Sequence, residues 1–483
     1  MDAQALLAEG AAAYGRGDIA GALARFEQVA AAGGELRLAA LINAASMRDE
    51  LGDYPAAVRT YRSVLSELPD DAIKMRSAAL INVSQSLQHV GDLDAAADAL
   101  ETARTILLGT DEHREHYVAC LFSLTAVAIH RGQWARAGEI AAESLGAARQ
   151  FAPAMAGHPL MNLAAVNFET GRTELALDFA AQALTAFEQT DDRNAVADTQ
   201  QNLALMRLRA DRADGVAELL HASQAYYEMS GNSHRFGVGL KAAALYAEQN
   251  GDLDGADRRY RQALRHFRDS GALLDVAAVC TCLATLEFGA GRVDEGEALL
   301  AEAFGIYRDA GLGLQCAQVD FWHAGLLESV SAKAALDLAI PAALAIDAAR
   351  CMFTNGHQRA QWNAQVAAPS IRLAFRLARA AAPQLLPELV ETYCAGVAFD
   401  PDAAGARPPR FEPMTAPTVL PDTSSTLALG AALAAVAAEA GLPVAPPPPI
   451  TLPDGRIALA PYLERGLTRY HQPVRGAQAV PSC

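Results

Sequence analysis

Lysine is nearly missing from this chain. Of 39 basic residues only Lys74, Lys241 and Lys333 are Lys, and the rest are Arg. We read that bias as the coding preference expected of a GC-rich, bacterial genome and assign it no function. A phosphate-binding loop is absent too, because no Gly-rich run ends in Gly-Lys-Ser or Gly-Lys-Thr. So is the Gly-x-Ser-x-Gly elbow that raises a nucleophilic serine. Long hydrophobic runs are lacking. The longest, Leu427 to Ala438, falls short of the ~20 residues a membrane helix needs. The opening Met1-Asp2-Ala3-Gln4 lacks the basic region and apolar core of a signal peptide. The seven Cys are odd in number and scattered, which argues against a disulfide framework and leads us to expect a cytoplasmic protein.

Positive charge is in deficit overall. The formal net charge is −17, and nearly all of it falls on residues 1 to 399. Binding nucleic acid or anionic lipid requires clustered Arg or Lys, so neither is an expected partner. A basic protein or peptide partner is compatible with the acidic balance, which also keeps an Ala-rich chain dissolved.

What the chain does have is a period. Turns fall at Gly17, Gly52, Gly91, Gly132, Gly171, Asp211, Gly251 and Gly291. Five residues after each turn stand Ala22, Ala57, Ala96, Ala137, Ala176, Val216, Ala256 and Gly296. Nine after stand Phe26, Tyr61, Leu100, Ala141, Ala180, Leu220, Tyr260 and Leu300. Twelve after stand Val29, Val64, Ala103, Ser144, Ala183, Ser223, Ala263 and Ala303. Offsets of four and three lie on one stripe of a helix. Seven residues before the turns sit Gly10, Ala45, Ser84, Thr125, Ala164, Ala204, Ala244 and Ala284, all small, where a paired helix crosses closely. Each unit is therefore expected to be helix, Gly turn, helix. Glycine supplies the left-handed conformation that ends the first helix. The Asp in Gly17-Asp18, Gly52-Asp53, Gly91-Asp92 and Gly251-Asp252 is placed to cap the second.

The small–bulky–small ladder around a Gly-Asp turn resembles the tetratricopeptide (TPR) repeat. The spacing near 40 residues departs from that family's 34, and its early Trp and late Pro are missing. The resemblance covers roughly residues 3 to 330. It implies an all-α fold, a right-handed superhelical solenoid of antiparallel helix pairs ended by capping helices. Three regions are expected: about eight repeats over 1–330, a degenerate repeat with capping helices over 331–399, and a Pro-rich linker with two short helices over 400–483. The degenerate unit spans Leu314 to Arg350 with Pro341 in its second helix, an amphipathic helix comes next from His357 to Ala381, and a shorter one covers Pro387 to Cys394. The late helices are placed at Ser425–Ala440 and near Ile457–Tyr470.

Chemistry-bearing clusters are few. Asp111-Glu112-His113-Arg114-Glu115-His116 lacks the His-Glu-x-x-His spacing that turns two imidazoles to one ion, and its place at a helix start suits an acidic cap. Cys280 and Cys282 point to different sides of a helix. No metal, cofactor or catalytic residue is expected. The region Leu338 to Ala395 resembles the segment C-terminal to the repeats in bacterial CHAT-type (caspase-like) peptidases. Residues 400 to 483 offer no strand series for the peptidase itself, so that resemblance implies a partner of such an enzyme.

Recognition is the remaining function class. Asn recurs nine residues before the turn at Asn43, Asn82, Asn162 and Asn202. In the TPR family this face of the first helix lines a concave groove. An Asn amide donates and accepts, so it can hold a peptide backbone whatever its sequence. One position upstream run Ile42, Ile81, Phe122 and Met161, and one helical turn on lie Ser46 and Gln85. The expected function is a non-catalytic scaffold or adaptor holding an extended peptide in the groove. The alternatives are an Asn ladder that only bridges neighbouring helices, and a sensor hinged at Pro153, Gly157 and Pro159.

Overall fold

The computed structural model describes the chain except residues 1, 111, 354–355, 395–397, 400–443 and 483. It is all-α and divides into two compact units, Met1–Ile306 and Tyr307–Cys483.

Eight helix pairs succeed one another from the N-terminus, each a first helix A and a second helix B. They are Ala3–Gly15 with Ile19–Ala32, Arg37–Glu50 with Tyr54–Glu67, Ile73–His89 with Leu93–Leu108, and Arg114–His130 with Trp134–Phe151. The next four are Gly157–Glu169 with Thr173–Gln189, Arg193–Arg209 with Val216–Ser230, Ser233–Gln249 with Leu253–Ser270, and Leu273–Gly289 with Val293–Asp309. Every turn position of the period has positive φ, from 54° at Asp211 to 85° at Gly171. Glycine adopts that conformation freely, and Asp is among the few other residues that tolerate it. Asp18, Asp53, Asp92 and Asp252 each accept a hydrogen bond from the backbone N–H three residues on, capping helix B as the sequence implies.

Helix B buries the three columns read from the sequence. Ala22, Ala57, Ala96, Tyr61, Leu100, Tyr260, Val29, Val64 and Ala263 are all inside. A further column lies sixteen residues after the turn and meets a position fourteen before it. In repeats three to eight the two vary in opposite senses. Gly157 faces Phe187 and Gly237 faces Phe267, whereas Val118 packs with Ala148. Close packing fixes the summed volume, so a large side chain on one helix demands a small one on the other.

In the second unit, Gly313–Leu327 and Ala332–Ala348 form a further helix pair, with Pro341 inside the second. The helix expected from His357 to Ala381 is interrupted. It runs as Gly356–Trp362, a π-turn at Asn363–Ala367, then Ala368–Ala381, with Pro369 in the first turn of the last segment. A short helix Leu386–Cys394 comes next, and a last helix occupies Ala460–Tyr470. That last helix packs on the Gly313 and Ala332 helices. Asp320, 1% exposed, accepts from the Tyr470 hydroxyl at 2.8 Å and from Arg469 Nη2 at 2.7 Å. Gly313 makes the approach possible, since a Cβ there would collide with the Tyr470 carbonyl. The Pro stretch Asp400 to Asp422 and the helix expected at Ser425–Ala440 lie outside the described residues. Two-residue strands pair Ala398–Phe399 with Val444–Ala445 and Ile450–Thr451 with Val480–Pro481.

Candidate functional site

Within the first unit, helices A of distant repeats come face to face. Asn232 Nδ2 of repeat seven donates to Glu50 Oε2 of repeat two at 3.2 Å. The His89 ring of repeat three lies 4.7 Å from that of His234 and stacks on Tyr54 at 4.2 Å. The turn at Gly52 abuts Ser270 so closely that a Cβ would stand 3.1 Å from the serine's own. The A helices thus enclose an interior across which repeats two and three touch repeats seven and eight.

Two columns on helix A look into this interior. One lies two residues before the turns of repeats two to seven: Glu50, His89, His130, Glu169, Arg209 and Gln249. Sequence reading missed it, because no one residue type is kept along it and only the position repeats. The other is the Asn column, seven residues or two helical turns upstream on the same stripe. Asn43 is exposed; Asn82, Asn162 and Asn202 are half-buried. Asn162 Nδ2 donates to the Phe122 carbonyl at 2.8 Å, a bridge between the A helices of repeats five and four. Asn82 and Ser46 stand beside the buried Tyr61 hydroxyl, which has no hydrogen-bond partner in its geometry. Ile42 and Ile81 are packed in the core and offer no open pocket. Phe122 and Met161 are half-buried, and Phe122 stacks on His158 at 4.7 Å. Ser46 and Gln85 are half-buried as well.

Acids crowd the interior. Burial pushes the Asp49 carboxyl up to about 7, against the opposing pull of the Ser86 hydroxyl that donates to it. Burial also raises Glu50, with Asp198 and Asp192 adding repulsion and Arg235 opposing. Burial pushes Tyr14, in repeat one, up to about 12, with Glu50 and Asp192 adding repulsion. Arg235 Nη1 pairs with Asp198 Oδ1 at 2.7 Å. Arg209 Nη1 donates to Glu169 Oε1 at 2.6 Å within the inner column. Burial holds the His89 imidazole well below its ordinary value. At Asp275 burial acts upward, but Lys241 at 3.1 Å and His234 at 2.9 Å outweigh it and hold the carboxyl well below the carboxylate range. His130 is exposed to the interior, and the protein packed around it lowers its pKa. Beside this surface a cleft of about 320 Å³ opens between repeats five and six, lined by Glu188, Asp191, Arg193, Gln200 and Tyr226.

His116 Nδ1 pairs with Ser77 Oγ at 2.8 Å, and His113 precedes the helix that starts at Arg114. Cys280 is buried while Cys282 is half-buried. Among the described residues, His89, His234 and Asp275 form the group whose ligand atoms are near enough to share an ion, all within 4.8 Å of one another.

No protein-family model and no curated protein matches this sequence. Solved structures do. A Rap protein complexed with Competence and Sporulation Factor superposes with a TM-score of 0.52 at 13% identity, over 79% of this chain and 99% of that one. The Rap conjugation gene regulator of plasmid pLS20, in complex with the Phr* peptide, gives 0.49 at 15% identity, over 57% and 74%. The fold is that of the TPR-like helical-repeat proteins.

Proposed function

We propose that the chain is a non-catalytic scaffold that binds an extended peptide along the inner face of its first unit. The observation that carries this reading is the stripe of changing polar side chains on successive A helices, with Asn43, His130, Arg209 and Gln249 placed along it. A fixed position with a varied residue is what recognition of a particular sequence requires, while repeated Asn supplies sequence-independent backbone hooks. Extended chain rises ~3.3 Å per residue and packed helices lie roughly 10 Å apart, so each repeat meets about three residues. The crowded acids Asp49, Glu50, Asp192 and Asp198 favour a cationic ligand. The Rap protein of like fold is complexed with Competence and Sporulation Factor, which is consistent with this use of the architecture.

The contact between repeats two and seven supports a sensor as the second reading. A ligand entering the interior has to accommodate or break the Asn232–Glu50 bond, and so biases the relation of the repeats.

The test is selection of random 12-residue peptides by display against the full chain. We expect cationic peptides whose affinity falls at least tenfold in the Asn43→Ala/Asn202→Ala variant, with helical circular dichroism unchanged. Asn162→Ala, which removes an internal bond, serves as the structural control and costs ~1 kcal/mol of stability. Recovery of no binding peptide, or equal binding by the double variant, overturns the proposal.

A further inference from the structure

Three side chains that sequence separates by up to 186 positions meet in the interior, and the grouping suits a metal ion. His89 is the last residue of helix A in repeat three, His234 lies in the first turn of helix A in repeat seven, and Asp275 in the first turn of helix A in repeat eight. We infer that His89, His234 and Asp275 form a binding site for a divalent transition-metal ion of the zinc class, clasping repeat three to repeats seven and eight.

The donor set is the first argument. Two imidazoles and a carboxylate are the borderline nitrogen and oxygen ligands that zinc takes in its three-ligand sites, with a fourth position left for water or a ligand atom. Calcium and magnesium prefer all-oxygen shells and are disfavoured here.

The setting is the second. The Tyr54 ring covers His89 at 4.2 Å and meets His234 edge-on at 5.5 Å, and Phe267 flanks His234 at 5.4 Å. Aromatic neighbours fix the imidazole planes, as surrounding shells do in metal sites. Lys241 holds the other oxygen of Asp275 at 3.1 Å. It orients the carboxylate and leaves Oδ2, now 2.9 Å from His234 Nε2, as the atom facing the ring. An ion entering there replaces that hydrogen bond and releases the shared proton.

The third argument is what the positions achieve. Each pair of adjacent repeats is already held by its own core, whereas repeat three reaches repeats seven and eight only across the interior. One ion there joins elements that local packing leaves independent. This inference does not rest on peptide binding, and either can fail alone.

The experiment is dialysis of the full chain against micromolar Zn²⁺ and then metal-free buffer, with metal content read by inductively coupled plasma mass spectrometry and stability by thermal unfolding. We expect one zinc retained per chain and a Tm that rises with free zinc. His89→Gln and Asp275→Asn should each lose the metal and the Tm rise while keeping wild-type helicity. His221→Ala, an exposed histidine outside the group, should keep both. No retained zinc in the wild type, or zinc retained equally by His89→Gln and Asp275→Asn, overturns the assignment.

Discussion

Adding one methyl group at Gly157 tests whether paired helices in this array are held by volume matching. A Cβ there would stand 2.6 Å from both Cε1 and Cζ of Phe187. Carbon atoms in contact prefer about 3.5–4.0 Å, so the ring has to retreat by about 1 Å. Phe187 is only 3% exposed and meets His158 edge-on at 4.8 Å, which leaves it nowhere to go without moving a neighbour. Overpacking of this kind costs about 1–3 kcal/mol. Alanine returns up to ~1 kcal/mol of helix propensity, less at the first residue of a helix, where Gly157 sits. The expected net effect of Gly157→Ala is a loss of about 1–2 kcal/mol. Phe187→Leu should relieve it, because repeat three carries Leu107 at the equivalent position. Alone, Phe187→Leu leaves a cavity and destabilises; combined with Gly157→Ala it should cost less than the sum by at least ~0.5 kcal/mol. Urea unfolding followed by circular dichroism gives the four stabilities. Hydrogen exchange over Gly157–Gln189 locates the change, since a repeat array need not unfold in one step. A Gly157→Ala protein as stable as wild type, or strictly additive effects, would refute the volume argument.

Asp49 predicts a pH dependence. Its folded-state pKa of about 7 stands above the ordinary carboxylate value because burial favours the neutral acid, so its contribution is fully present below pH ~4 and is lost as pH rises through 7. Asp49→Asn should therefore unfold at higher urea than wild type at pH 8, by roughly 1–4 kcal/mol, and match it near pH 4; equal stability at both pH values would contradict the burial argument. In the second unit, Asp320→Ala removes the acceptor shared by Arg469 and the buried Tyr470 hydroxyl, which costs about 3 kcal/mol and exposes residues 457–482 to limited proteolysis before the rest of the chain; unchanged protection would refute the docking role of Asp320.

The repeat was legible because its determinants are local. A left-handed turn, a cap three residues on and a small–bulky–small ladder are each satisfied within about 20 residues, so Gly17-Asp18 and Gly251-Asp252 announce the same structure 234 positions apart. The volume exchange between the −14 and +16 columns was less visible, because it conserves a sum and no residue type. Gly157–Phe187 and Val118–Ala148 look unrelated until they are seen in contact. In the second unit the sequence pattern predicts a continuous helix from His357; the π-turn at Asn363–Ala367 comes just before Pro369, which has no N–H to donate to the carbonyl four residues back, and the apolar period alone does not report it.

The interior site was hidden for a different reason. Whether repeat three meets repeat eight depends on a small rotation per repeat summed over five steps, and no single segment encodes that sum. The same geometry separates two kinds of column. A position that finds the same neighbours in each repeat tends to keep one residue type, and Asn162, bonded to the carbonyl of Phe122 one repeat back, has such a neighbour. The inward position keeps no one type: it runs Glu50, His89, His130, Glu169, Arg209, Gln249, and its contacts differ, Arg209 pairing with Glu169 one repeat back while His89 meets His234 four repeats on. Repetition of identity reports the scaffold. Variation at a fixed, inward position reports what the scaffold surrounds, and in this chain it is that varied column which supplies His89 to the cluster with His234 and Asp275.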